Sequence, residues 1–382
     1  MTESQGRAPA LFSSFSKDLA DLGPAAKIAI ESVLRIQAGE KVIIISNPSA
    51  DVLRISYALY DAAAQAGAHP VLMLQDVKSQ GDYAEEAVIM AFDSQPDAVL
   101  SLSANKMGKD RDGMRTQYEW DGQKYDHVFH YQMYGAKTLR SFWSPSITAD
   151  MFQRTVPIDY ALLKRRCAAI KDVLDRAESV RVTNPGGTDI VIGLKGREAK
   201  SDDGDFSLPG RGGNLPAGET FVSPALNTAE GVIVFDGSIS LGSGDIVIKT
   251  PIRARVSGGF VTEISGGAEA DRLRECVERA ERDALAMGKD GVLSEGRGEI
   301  YAKNAYAIGE LGIGLNPAAR VSGNMLEDEK AFNTCHFAIG QNYDEDGPAL
   351  IHLDGLVSRP TIVATLPGGQ SVEIEKDGML IE

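Results

Sequence analysis

Three short apolar runs between Ile308 and Asp354 each carry ionisable side chains on one parity. Around Glu310, the odd positions Leu311, Ile313 and Leu315 are apolar and the even ones are Glu310, Gly312 and Gly314. Around His336, the apolar positions are Cys335, Phe337 and Ile339, and His336 shares its parity with Ala338 and Gly340. Ala349, Ile351 and Leu353 then alternate with Leu350, His352 and Asp354. Alternation of period two implies strands whose apolar faces enter a core. The opposite faces present Glu310, His336, and the pair His352 and Asp354, with small same-face neighbours that leave room for an ion and a substrate. Imidazole and carboxylate on rigid strands suit zinc, manganese, cobalt or iron. A lone histidine on a half-buried strand is more often a core residue, and a His-x-Asp pair is often a structural couple. With Glu310 and Glu329 added, a metal set becomes the better reading, because buried carboxylates are otherwise costly. Cys335 falls on the apolar face and reads as core.

The rest of the chain divides by pattern. A loose lead-in over residues 1 to about 22 precedes a helix expected at 25–37. A continuous apolar run, Lys41-Val-Ile-Ile-Ile-Ser46, follows. Next come a helix over about 51–66, a strand from His69, a helix at 85–92 and a strand at 98–102. Apolar strands alternating with helices imply a mostly parallel sheet. Neither a G-x-G-x-x-G loop nor a Walker A loop is present, so this part is not expected to hold a nucleotide cofactor. His127 and His130 would share a helix face; a second metal site is conceivable there, a surface or dimer contact the plainer reading. A helix at 160–176 leads into short strands separated by Gly-Gly turns, one amphipathic helix at 269–287, the ligand-bearing strands and a closing hairpin around Pro367-Gly-Gly369. The expected fold is α+β: an N-terminal α/β domain with a mostly parallel sheet (1–176) and a C-terminal mixed or antiparallel β-rich domain carrying the metal site (177–382).

The formal net charge of −15 argues against a nucleic-acid or anionic-membrane partner. No apolar run is long enough for a membrane span, and residues 1–7 lack a signal-peptide pattern. Cys167, Cys276 and Cys335 are scattered and odd in number, which fits a reducing, cytoplasmic setting.

Upstream, Asn214-Leu-Pro-Ala-Gly-Glu219 places a carboxylate between turn residues and an extended apolar run. With Gly309-Glu310-Leu-Gly-Ile-Gly314, Asp328-Glu329-Lys330, Thr334-Cys-His336-Phe-Ala-Ile-Gly340 through Tyr343, and His352-Leu-Asp354, the second half resembles the thermophilic metallo-aminopeptidases typified by aminopeptidase T. The resemblance implies a homodimeric exopeptidase acting on small peptides or amides with two divalent ions (Zn, Co or Mn). Glu219, Glu310, His336, His352 and Asp354 would be ligands, Glu329 the general base and Tyr343 an oxyanion donor. Three carboxylates and two imidazoles are chemically able to hold two ions roughly 3.5–4 Å apart. Gly218 before Glu219, a short His336–His352 interval, and Asn333 in place of the family's glycine depart from that pattern. The stretch Gly259-Phe-Val-Thr-Glu-Ile-Ser-Gly-Gly267, Gly314-Leu-Asn-Pro317 and the final His-x-Asp also resemble the 2,5-dihydroxypyridine dioxygenases, which bind one Fe(II). That family has histidine at the position of Glu310 and lacks the carboxylate at Glu219. Both glutamates therefore favour the hydrolase, with the dioxygenase as the alternative and a metal-free binding protein as a third reading.

Overall fold

The computed structural model describes residues 19, 21–79, 82–344 and 346–381. The lead-in expected at the start of the chain lies, up to residue 18 and at residue 20, outside them. Two compact units result. The first holds the described residues up to Lys164 together with Gly204–Ala217; the second holds Arg165–Asp203 and the described residues from Gly218 onward.

The first unit is built on a parallel sheet. Its strands are β1 (Lys41–Ser46), β2 (His69–Leu74), β3 (Ala98–Ser103), β4 (Arg140–Pro145) and the short strand Gly212–Asn214. Their order is Gly212–Asn214, β4, β3, β1, β2, and every pairing is parallel. The unbroken apolar run of β1 is what a strand covered on both faces requires. The helix Ala50–Gln65 buries Val52, Ile55, Leu59 and Ala63, a stripe at helical spacing. Gly67, at φ +85°, ends it by supplying a left-handed residue. The helix expected at 25–37 is shorter: Gly23–Ile28 is α-helical, and a π turn over Ala29–Val33 finishes it. The wide turn buries Ile30, Val33 and Leu34 completely. Strand β4 and the helix Ala149–Thr155 arise from a charged, aromatic segment whose pattern did not announce them.

The second unit consists of two further sheets and a long helix. The seven strands of the first sheet are β5 (Lys200–Asp202), β6 (Glu219–Val222), β7 (Ser238–Leu241), β8 (Gly244–Val247), β9 (Ile308–Gly314), β10 (Thr334–Gly340) and β11 (His352–Ser358). Their order is β8-β7-β11-β10-β9-β6-β5, antiparallel throughout. The eight-stranded sheet runs from Phe260–Ser265 through Ile252–Ser257, Glu230–Phe235, Asp189–Gly193 and Ser179–Thr183 to the C-terminal hairpin and Met379–Leu380. The fold is therefore the expected α+β arrangement, with a parallel sheet followed by antiparallel ones. The helix Ala268–Lys289 buries Ala270, Leu273, Val277, Ala280 and Ala284. The two sheets meet where Gly355 of β11 lies on Phe235: a Cβ there would stand 2.5 Å from the ring. Residues in β9 and β10 are buried along their whole length, so both faces of these strands are covered. Among the described residues no helix is long and apolar enough to cross a membrane.

Glu375, in the strand Ser371–Lys376, is fully buried and neither carboxylate oxygen has a hydrogen-bond partner. Burial pushes its pKa from 4.5 up to about 8. A carboxyl raised on folding contributes stability below its unfolded pKa, and that contribution is lost as the pH rises through the folded value. Glu375→Gln should therefore change the melting temperature little at pH 5 and raise it at pH 9. Thermal melts at the two pH values test this; an equal shift at both would refute it.

Candidate metal centre

The antiparallel register seats every ligand-type side chain opposite a small residue. His336 faces Gly312, Glu310 and Asp354 both face Ala338, His352 faces Gly340, and Glu219 faces Gly314. A Cβ on Gly312 would come within 2.1 Å of the His336 ring. At this position the glycine makes room for an imidazole, and the expectation that it leaves space for an ion is corrected. Gly218 has φ +138°, and a Cβ there would meet Asn316 at 2.7 Å. An acidic side chain beside Glu219 is thus sterically excluded. Asn333 adopts φ +72°, a left-handed conformation that asparagine tolerates where glycine is the usual choice.

Four donors converge around Glu310. His336 Nε2 lies 3.1 Å from Glu310 Oε1, and His352 Nε2 lies 3.5 Å from Glu310 Oε2 and 3.1 Å from Asp354 Oδ1. His336 Nε2 is also 3.6 Å from Glu219 Oε2. Two groups, Glu310–His352–Asp354 and Glu219–Glu329–His336, each bring ligand atoms within 4.8 Å of one another. His352 Nδ1 is 2.7 Å from the Gln341 carbonyl oxygen. A carbonyl only accepts, so Nδ1 carries the proton and donates. Burial opposes charge on this ring, but Asp354 and Glu310 raise its pKa to about 10, so Nε2 carries a proton towards the carboxylates and becomes a ligating lone pair on losing it to a metal, with the outer hydrogen bond already in place. Glu310 Oε2 and Glu219 Oε2 are buried without hydrogen-bond partners, and Asp354 Oδ1 is met only by His352 Nε2. Buried oxygens of this kind are costly unless a cation meets them. The donor set is that of a divalent-metal enzyme.

Charge at the site is strongly unbalanced. Asp202, Glu219 and Glu329 are gathered around one ammonium, Lys330, which has no solvent exposure, while Glu310 and Asp354 face the two histidines. Lys330 Nζ is 2.6 Å from Glu219 Oε1 and 3.8 Å from Asp202 Oδ2, and it donates to Glu329. Burial opposes its charge, but Glu219, Glu329 and Asp202 outweigh that and hold it protonated, well above the ordinary lysine pKa. Burial raises Glu329 to about 8 against the pull of Lys330. Burial disfavours the imidazolium of His336, yet its bond to Glu310 and the nearby carboxylates raise it to about 9. Burial likewise works against Asp354 as a carboxylate, but His352 holds its pKa at about 2. Without a metal, the histidines supply the missing positive charge themselves.

Glu329 owes its position to its neighbours. Asp328 accepts from the backbone N–H of Ser322 (2.7 Å) and of Gly323 (2.8 Å), and Glu327 accepts from that of Arg320 (2.7 Å). Two acids of the run fix the loop, and the third faces Lys330. Tyr343 is 51% exposed, and its ring centroid lies 4.9 Å from that of His352. Lys200 anchors its segment by donating to the Tyr343 carbonyl (2.5 Å) and to Asp344 (2.8 Å). All seven residues singled out from sequence therefore lie in the second unit, around these strands. Asp202 and Lys330 were missed. The only sign of Lys330 is a lysine placed between an acidic run and an apolar strand; Asp202 leaves no local signal.

A family model described as NicX, 2,5-dihydroxypyridine 5,6-dioxygenase, matches residues 132–338, more than half of the chain. The chain belongs to this family. The match includes Glu219, Glu310, Glu329 and His336 and ends before Tyr343, His352 and Asp354. A 2,5-dihydroxypyridine 5,6-dioxygenase of Pseudomonas putida is 28% identical over 171 residues, 43% of this chain and 41% of that protein. The aligned stretch thus spans less than half of the relative's length. A solved 2,5-dihydroxypyridine dioxygenase from Pseudomonas putida superposes with a TM-score of 0.66 at 20% identity, covering 95% of this chain and 97% of that one. Wild-type AmpT from Thermus thermophilus superposes with a TM-score of 0.63, also at 20% identity, covering 96% and 100%. At that identity both structures speak for the fold alone.

These findings overturn the reading as a metallo-aminopeptidase, and with it the hydrolase and protease assignments. The family and the curated relative both name a dioxygenase. The physical reason for the error lies in Glu219: its carboxylate is engaged by Lys330, so its presence is no evidence for a second ion. Gly312 tests the seating of the site. Gly312→Ala should lose about 1–3 kcal/mol from overpacking against His336 and should bind less metal. Denaturant unfolding and metal analysis together check it; unchanged values in both would show that the glycine does not seat the ring.

Proposed function

We propose that this protein is a metal-dependent dioxygenase that opens the ring of a hydroxylated pyridine-type heterocycle, with a single Fe(II) held by Glu310, His352 and Asp354 beside His336. The observation that carries the reading, within a chain of this family, is the division of labour around Lys330. Of the two three-residue groups, one already has a buried ammonium on Glu219 and Glu329. The other, Glu310–His352–Asp354, has no lysine in ion-pair reach among the described residues and is met only by imidazoles, with His352 Nδ1 committed to Gln341 and Nε2 facing Glu310 and Asp354. Imidazole and carboxylate together suit ferrous iron. When bound, the iron would supply the redox chemistry that dioxygen needs.

The chain's own residues would do the rest. The Nδ1 donation of His352 to Gln341 keeps its ring oriented. Glu329, bonded to Lys330 at the edge of the cluster, is placed to take or return the proton of a substrate hydroxyl. Tyr343 offers a phenol and a flat face next to His352, against which an aromatic ring stacks. The sheet around β9 and β10 excludes water from the inner side of the cluster.

Iron-loaded protein should consume dioxygen with 2,5-dihydroxypyridine while the ring absorbance disappears, and Asp354→Ala should reduce the rate by about 10²-fold or more. Absence of oxygen uptake from protein carrying stoichiometric iron would refute the activity. Metal content tests the role of Lys330 separately. Wild-type protein should take up one ion per chain, and Lys330→Met, by releasing Glu219 and Glu329, should move the ratio towards two. A ratio of two already in the wild type would overturn the single-ion reading.

A further inference from the structure

One row across the seven-stranded sheet links the metal centre to the sheet's edge. Lys200 of β5 pairs in register with Phe221 of β6, Phe221 with Gly312 of β9, and Gly312 with His336 of β10. Directly paired residues present their side chains on one face. Lys200 and Phe221 therefore stand on the face that carries His336. Phe221 is half-buried, and its ring centroid lies 5.5 Å from that of Tyr343, at 64°. Tyr343 in turn tilts by 56° against His352 at 4.9 Å. The phenol is held between a strand residue and a ligand-type histidine, with half of the residue still exposed.

Tyr343 lies on the connection between β10 and β11, so its backbone has no ladder to hold it. Side chains do so instead. Its N–H donates to Ser223 Oγ (3.3 Å), and Lys200 Nζ donates to its carbonyl (2.5 Å) and to Asp344 (2.8 Å). Lys200 is 42% exposed, and an exposed pair of this kind holds little by itself. Arg197 differs. It is only 11% exposed, and its Nη1 lies 3.2 Å from Asp344 Oδ2 and 2.9 Å from Asp346 Oδ2. A covered guanidinium shared by two carboxylates fixes a geometry that a mobile ammonium does not. Asp346 also accepts from Asn342 Nδ2 (2.5 Å), whose Oδ1 accepts from the Gly347 N–H (3.1 Å). Behind Arg197, the Ala199 N–H donates to Asp175 (2.7 Å) and Lys171 donates to the Ala199 carbonyl (2.6 Å). The brace thus ends on the helix Tyr160–Arg176, and all of its members belong to the second unit.

We propose that Arg197, assisted by Lys200, is a positioning residue for the reaction: it acts through Tyr343, holding the phenol against Phe221 and His352 as the surface on which the substrate ring packs. The proposal rests on the reading of the metal centre as a ring-opening dioxygenase. A stacking partner that is already in place gives its full contact, whereas one that must be ordered on binding costs affinity. Loss of the brace therefore weakens substrate binding. It leaves Glu310, His336, His352 and Asp354 in place, because strands position them.

Oxygen uptake by the iron-loaded full chain with 2,5-dihydroxypyridine tests it. Arg197→Ala should raise KM about fivefold or more, with kcat within about twofold and iron content unchanged. Lys200→Ala, on the exposed side of the brace, should shift KM the same way by a smaller factor. Combining Arg197→Ala with Tyr343→Ala should be no worse than Tyr343→Ala alone, since a residue that acts only through Tyr343 then has nothing left to hold. An unchanged KM in Arg197→Ala, additive KM effects in the double variant, or loss of iron would each overturn the proposal. Hydrogen exchange on the iron-loaded protein reads the brace without turnover. The Tyr343 amide should exchange about tenfold faster in Arg197→Ala, with β10 and β11 at their wild-type rates; equal exchange at Tyr343 would refute the brace. A wild type that consumes no oxygen would refute the dioxygenase reading instead, and exchange alone would then decide the brace.

Discussion

One buried ammonium governs the electrostatics of the second unit. Lys330 has no solvent exposure, yet three carboxylates from three different segments surround it: Asp202 from β5, Glu219 from β6 and its own neighbour Glu329. Bringing those acids together without it would leave several uncompensated charges in a covered sheet, each worth several kcal/mol. With it, part of that charge is offset at Glu219 and Glu329, while Glu310 and Asp354 are met only by the histidines. That imbalance is what the proposed metal would answer, on the side of Glu310 and Asp354.

The backbone supplies what the charges need. Four adjacent strands, β11-β10-β9-β6, run antiparallel, and their register sets each donor opposite a glycine or alanine on one flank, with His336 also facing Leu356 and Glu219 facing Asp202 on the other. Antiparallel partners stand about 4.5–5.5 Å apart, too close for two large side chains plus an ion. The small partners resolve the conflict, most visibly where the His336 ring occupies the space over Gly312. The same logic recurs at Gly355, whose missing side chain admits Phe235 from the facing sheet.

The confusion between two families follows from this economy. A peptidase and a ring-opening oxygenase can share strands, register and most donors, because both need a divalent ion held rigidly by nitrogen and oxygen. Counting glutamates pointed towards two ions. Whether a glutamate is free to bind an ion depends on its partners, and Glu219 has Lys330, 111 residues away in sequence.

The sequence by itself determined the periodicities, and through them the elements: the apolar run at Lys41–Ser46, the helical stripe of Ala268–Lys289, and the alternating strands that carry Glu310, His336, His352 and Asp354. These are local properties, since side-chain direction repeats every two or 3.6 residues whatever the surroundings. It also showed which residue types would be buried together, which is why a metal set was expected. Only the tertiary structure decided the pairing of charges. Asp202 meets Lys330 because β5 joins the sheet beside β6. Such partners are set by strand order, which leaves no period in the chain. The engagement of Glu219 by Lys330 was decided there, by a contact that sequence spacing does not encode.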